Sequence, residues 1–239
     1  MAEISLIISR FDPDVDRESR FITYSVQAEP TERVLDCLNR IKWEQDGTLA
    51  YRMSCGHGVC GSDAMKINGR CSLACQKLVR DYDGGEIVIE PLPSYKVLKD
   101  LVVDLNPFFE RVQLIRPFLI TSAVAPEKER KQDHEDSEKV REAIRCILCA
   151  CCTASCPVLT SENEQFIGPA PLVWVFRYLF DSRDEEGLKR LEQMDNPDGA
   201  WGCKNYFECT RVCPKEIPVT KEINIIKREI QKRLQQKTQ

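Results

Sequence analysis

The sequence predicts an α+β protein of two domains, on three observations. Segments 3–11 and 21–27 are rich in β-branched and aromatic residues, 64–67 and 70–73 flank an Asn-Gly turn, and 86–90 reads EIVIE, which marks strands. From about residue 96 the apolar residues Val97, Leu98, Leu101, Val102 and Leu105 fall at helical spacing, and the later segments keep that period. Pro91 and Pro93 stand between the two patterns. The expected division is a strand-rich domain over 1–105 and an all-α domain over 106–239.

The first two strands, separated by the polar stretch DPDVDRES, form a hairpin. Thr31 precedes a helix with Val34, Leu35, Leu38 and Ile41 on one face. Cys37 lies in that helix and reads as a small buried apolar residue. Asn68-Gly69 between 64–67 and 70–73 is a type I′ hairpin signal. The strand EIVIE at 86–90 completes a mixed sheet with one crossing helix and a glycine-rich loop. Segment 126–142 is dense in charge and reads as a solvated helix or a connector. Segment 172–180 is an apolar helix ending in DSRD, and its Trp174, Phe176 and Tyr178 read as core side chains rather than a binding stripe. The last helix, 219–234, is amphipathic through Ile223, Ile226 and Ile230.

A length of 239 residues fits two domains. A net charge of −4 speaks against a nucleic-acid partner. No apolar run approaches the roughly 18 residues of a membrane-spanning helix; stretch 143–160 looks apolar only through its cysteines, and Arg145 interrupts it. The start, MAEISLIISRFD, lacks a basic region and a long apolar core, so no signal peptide is expected. Thirteen cysteines, an odd number clustered in C-x2-C runs, fit metal binding in a reducing compartment better than disulfides.

Ten of those cysteines form three groups. Cys146-x2-Cys149-x2-Cys152-x3-Cys156-Pro157 is the bacterial-ferredoxin run, whose fourth cysteine ligates the other cluster. Cys203-x2-Tyr206-x2-Cys209-x3-Cys213-Pro214 repeats the frame with Tyr206 in the place of one cysteine. Exchange of the last cysteines gives Cys146, Cys149, Cys152 and Cys213 as a complete [4Fe–4S] site. It leaves Cys156, Cys203 and Cys209 as a site one thiolate short, which reads as [3Fe–4S]. The third group, Cys55-x4-Cys60-x2-Asp63-x11-Cys75, follows the plant-type [2Fe–2S] spacing with Asp63 at the third position. Cys71 is the rival for that ligand, since it would give an all-cysteine site. Gly56, Gly58 and Gly61 let the loop turn tightly and aim amides at sulfur. The first domain then matches the plant-ferredoxin β-grasp architecture, the second a helical bacterial-ferredoxin-like domain.

Other centres fit less well. A Rieske site needs two histidines on one iron, and the chain has only His57 and His134, with Leu78 where the second would fall. Zinc suits C-x2-C pairs but explains neither the two prolines nor the ten-cysteine register. No Ser–His–Asp, paired-carboxylate or phosphate-binding motif stands out, so no catalytic residue is expected in this chain.

The order of sites, with CILCACC-x3-CP, FIGPA, DSRD and C-x5-C-x3-CPK, resembles the iron–sulfur subunit of succinate dehydrogenase and quinol:fumarate reductase over essentially the whole chain. The resemblance implies an electron relay through [2Fe–2S], [4Fe–4S] and [3Fe–4S] clusters. It joins an FAD-containing flavoprotein subunit, which does the succinate/fumarate chemistry, to quinone (menaquinone or ubiquinone) in a membrane-anchor cytochrome b subunit with haem. It implies a peripheral location on the cytoplasmic face of the bacterial inner membrane. Asp63 matches the aspartate variant of the third ligand, and Cys151 a non-ligand position. Members with quinone beside the [3Fe–4S] cluster carry a tryptophan after the Cys-Pro and a histidine after the next cysteine. Here Val158, Leu159, Thr160 and Ser161 follow Pro157, and Lys204 follows Cys203, which points the quinone site elsewhere in the anchor, as in di-haem anchors. Two other readings share the cysteine frames: a relative coupling fumarate to another donor such as thiols, and a freestanding ferredoxin-like carrier.

Overall fold

Alternation of side chains builds the first sheet. In β1 (Ala2–Arg10) Ile4, Leu6 and Ile8 point to the core, and in β2 (Arg20–Ala28) Tyr24, Val26 and Ala28 do the same. The computed structural model describes residues 2–82 and 85–238. β1 pairs antiparallel with β2 along its whole length, from Ala2 opposite Ala28 to Arg10 opposite Arg20. β3 (Ala64–Ile67) and β4 (Arg70–Leu73) form the second hairpin. Asn68 and Gly69 both take positive φ, 44° and 78°, as the type I′ turn requires. β5 (Ile87–Glu90) runs parallel to β1 and antiparallel to β3, giving the order β2-β1-β5-β3-β4. α1 (Val34–Arg40) crosses the sheet and adds Val34, Leu35 and Leu38 to the core. The Asp36 carboxylate reaches back to the Arg33 N–H at 3.0 Å and caps its start. Cys37 is wholly buried there, and burial raises its thiol pKa to about 11.

The expected helix from residue 96 does not form. Val97–Lys99 (β6) and Val102–Val103 (β7) make a small antiparallel pair instead. Tertiary anchoring overrides the apolar period. Asp100 turns the chain at φ 47° and is buried. Its Oδ1 accepts from the Phe11 N–H and Arg10 Nε, both at 2.9 Å, and its Oδ2 from the Ala50 N–H at 2.8 Å. Arg10 also donates to Tyr24, to Asp46 at 2.5 Å and to Thr48 at 2.8 Å. A buried arginine needs this full set of acceptors, because removal of one partner leaves an uncompensated charge.

The chain divides into two compact units. The first holds Met1–Leu105 together with Ile147–Ser155, and so includes α4 (Cys151–Ala154). The second holds Asn106–Cys146 and Cys156–Gln239. Within it lie α2 (Asn106–Leu114), α3 (His134–Val140), α5 (Pro169–Leu179), α6 (Gly187–Gln193), α7 (Glu208–Arg211) and α8 (Val219–Thr238). α5 is apolar nearly all round and packs against α2, α6 and α8; Phe176 and Tyr178 are buried in it. α8 meets it through Ile223, Ile226 and Ile230. Of the charged 126–142 stretch, α3 is a short helix with only Val140 buried. The DSRD sequence becomes an anchor. Asp184 pairs with buried Arg190 at 2.6 Å, and Arg190 donates to the carbonyls of Ile115, Arg116 and Phe118.

One side chain breaks the apolar face of α8. Glu222 is 2% exposed, and neither of its carboxylate oxygens has a hydrogen-bond partner. Burial, then the nearby Glu142 charge, pushes its pKa from 4.5 up to about 8. The resulting penalty is absent below the unfolded value of 4.5 and grows as pH rises towards 8, because the unfolded chain ionises first. Glu222→Gln should therefore stabilise the protein by about 2–3 kcal/mol at pH 7 and by almost nothing near pH 4.5. Thermal melts of the assembled protein at both pH values check this, and an equal Tm rise at both would refute it.

Candidate metal centres

Loop 51–63 is held by Arg33, whose Nη1 donates to the Gly56 carbonyl at 2.7 Å. Three backbone amides then converge on the sulfur of Cys55: His57 at 3.3 Å, Val59 at 3.4 Å and Cys60 at 3.3 Å. The His57 amide, followed by the other two, brings the Cys55 thiol down to about 6. Cys60 Sγ accepts the Cys55 N–H at 3.5 Å and lies 3.2 Å from the Ser62 hydroxyl. This is a thiolate cradle of N–H···S bonds. Gly61 permits it: at φ 70°, a Cβ there would lie 2.8 Å from Cys149 Cβ.

Asp63 is buried, 2% exposed. Its Oδ2 accepts the Cys75 N–H at 2.6 Å, and its Oδ1 is buried without a hydrogen-bond partner. The Cys75 thiol lies against the same carboxylate. Burial, then Asp63, pushes it up to about 12. A buried, half-satisfied carboxylate beside a buried thiol is a place short of positive charge. Cys71 sits on β4 opposite Lys66, and burial raises its thiol pKa. Cys151 lies against Cys149, whose pKa is lowered first by the Cys151 thiol, while that of Cys151 rises.

The two cysteine frames of the later sequence adopt the same backbone. A short 3₁₀ turn, Ala143–Arg145 in one and Ala200–Gly202 in the other, leads into Cys146 and Cys203, both extended with ψ 121°. Two residues on, Leu148 and Asn205 are left-handed (φ 53° and 59°); two further, so are Ala150 and Phe207 (φ 67° and 66°). A one-turn helix follows each, α4 and α7. Non-glycine residues pay for this conformation, so four of them at matching places mark a shared functional constraint.

In the second unit Cys156, Cys203 and Cys209 line one small cavity, together with Tyr206, Lys204 and Thr220. Cys209 Sγ is 3.4 Å from the Thr220 hydroxyl. The Cys156 sulfur faces the amides of Leu159 and Val158, although burial dominates and raises its pKa, as it does for Cys209. Glu162 bridges the rim. Tyr206 Oη donates to its Oε1 at 2.5 Å, and Lys204 pairs with its Oε2. Lys204, then Tyr206, lowers the Glu162 pKa, and Glu162 raises that of Tyr206.

Known proteins match both parts of the chain. Residues 5–110 match the family model of a 2Fe-2S iron-sulfur cluster binding domain, and 142–217 that of a 4Fe-4S dicluster domain. The chain is 36% identical over 225 residues to a succinate dehydrogenase iron-sulfur subunit of Coxiella burnetii, covering 93% of this chain and 95% of that protein. It is 39% identical over 221 residues to the corresponding subunit of Paracoccus denitrificans, covering 92% and 85%. The chain belongs to the succinate dehydrogenase iron–sulfur subunit family. In the Mycobacterium smegmatis Sdh1 complex in the apo form, one chain matches this iron–sulfur subunit with a TM-score of 0.79 at 26% identity, covering 97% of this chain and 96% of that chain.

The residues present fit iron–sulfur groups. The orphaned Asp63 oxygen, the amides on Cys55 and the three-cysteine cavity each provide what such a group needs. Among the described residues, no three His, Cys, Asp or Glu side chains close to single-ion spacing. A lone zinc draws sulfurs to about 2.3 Å from one centre, whereas an inorganic core stands between the cysteines of a cluster. The structure brings Asp63 to Cys75, and groups Cys156, Cys203 and Cys209. Sequence reasoning missed Glu162, Thr220 and Arg33. No motif signals a carboxylate 44 residues from its tyrosine partner. Lys204, which follows Cys203, has its charge offset by the Glu162 pair.

Proposed function

We propose that this chain is the electron-relay subunit of a succinate:quinone oxidoreductase. Residues 1–105 hold [2Fe–2S] on Cys55, Cys60, Asp63 and Cys75. Residues 106–239 carry [4Fe–4S] on Cys146, Cys149, Cys152 and Cys213, and [3Fe–4S] on Cys156, Cys203 and Cys209. The observation that carries this reading is the twinned backbone of the two frames, with Tyr206 where the first has a thiol. When bound, such clusters pass single electrons between two-electron partners. The chain's own residues set where they lie, exclude water around buried cysteines and supply the N–H···S bonds that tune them.

The partners are an FAD-containing flavoprotein and a haem-bearing cytochrome b anchor that binds menaquinone or ubiquinone, at the cytoplasmic face of the inner membrane. No helix among the described residues is long and apolar enough to cross a membrane, so attachment rests on the anchor. Exposed Trp201, Tyr206 and Phe207 beside the three-cysteine cavity support docking there; exposed Met53 and Val59 support a second contact near the Cys55 loop. Elemental analysis of the intact complex tests the assignment, with about nine irons per chain expected. About eight irons in two cubanes, or stoichiometric zinc, would overturn it.

A further inference from the structure

Three thiolates do not by themselves exclude a fourth iron, because water, hydroxide or a carboxylate can complete its coordination. Something else must close the open corner. Tyr206 stands in the slot of the missing thiolate and lines the cavity of Cys156, Cys203 and Cys209. Its ring is 45% exposed, so packing alone does not hold it. What holds it is Glu162, at the end of the turn Val158–Glu162 that directly follows Cys156-Pro157. The 2.5 Å Tyr206–Glu162 bond therefore ties the segment after Cys156 to the segment after Cys203. Lys204 takes the other carboxylate oxygen and keeps Glu162 ionised, an acceptor in both positions.

We propose that Glu162 is a positioning residue that pins Tyr206 across the mouth of the three-thiolate cavity, and that this pin keeps a fourth iron out. The inference rests on the assignment of that cavity to [3Fe–4S]. Converting an oxidised three-iron core to a four-iron core takes one Fe²⁺ and one electron, so the test supplies ferrous iron and dithionite together, without oxygen.

The experiment uses the assembled complex, followed by iron content and by the EPR signal of the oxidised three-iron core. In the unaltered protein, treatment and reoxidation should leave the signal and about nine irons per chain. Glu162→Ala should lose most of the signal and rise to about ten irons. Tyr206→Phe keeps the ring but not the bond, and should behave like Glu162→Ala. Glu162→Gln retains an amide oxygen for Tyr206 and should resist iron as the unaltered protein does. A merely structural role for Glu162 would not produce that rescue. Retention of the signal by both Glu162→Ala and Tyr206→Phe would overturn the proposal, as would iron uptake by Glu162→Gln equal to that of Glu162→Ala. An unaltered complex without any three-iron signal would overturn the cluster assignment itself, and the pin with it.

Discussion

Asp63→Ala is expected to abolish the [2Fe–2S] spectrum of the assembled complex. Succinate–quinone turnover should fall at least about 100-fold, since even outer-shell partners of a metal cost about 10- to 100-fold. The reason lies in the carboxylate's position. It is buried, one oxygen bonds the Cys75 amide, and the other has no hydrogen-bond partner beside the Cys75 thiol. Without iron this corner holds two groups that resist sharing negative charge, and under the proposed assignment both would be ligands. Cys71→Ser should leave spectrum and turnover within about twofold, because Cys71 is a buried residue in the β3–β4 pairing rather than in the Cys55 loop and serine preserves a hydrogen-bonding group of similar size. Loss of the cluster in Cys71→Ser, with Asp63→Ala tolerated, would exchange the two assignments.

Tyr206→Cys should convert the proposed three-iron site to [4Fe–4S] by supplying the thiolate that the twin frame carries at Cys149. An added iron and thiolate lower the potential, and each 59 mV shifts a one-electron equilibrium about tenfold. A fall of about 120 mV would thus disfavour the reduced site about 100-fold and slow quinone reduction strongly. Redox titration by EPR measures it directly. An unchanged oxidised three-iron signal in this variant would show that the residue at 206 does not govern iron occupancy.

Local chemistry made the paired cysteine frames and most of the sheet legible in the sequence. Cysteine spacing is a covalent ruler, and Asn68-Gly69 can adopt the turn that the hairpin needs. The apolar alternation of β1 likewise shows in its sequence. What escaped depends on partners distant along the chain. The apolar period of 97–105 suits a helix, yet Asp100 meets Arg10, Phe11 and Ala50 and turns the chain into a hairpin. Glu162 has no sequence signature because its role exists only where two cysteine segments meet. Glu222 reads as an ordinary helix residue until its burial is seen. Nor does any pattern mark Ile147–Ser155 as part of the first compact unit.

That last feature bears on how the protein is made. Ile147 and Cys149 pack against the core that contains Leu73 and Cys75, and Gly61 leaves room for Cys149. The sheet can pair once residue 105 has been synthesised, but its covering segment arrives only with residue 155. At about 5–20 residues per second, the nascent chain waits some 3–10 s before Cys149 can settle beside Gly61. Cluster insertion at the Cys55 loop during synthesis thus has a natural window, before the last strip of backbone covers it.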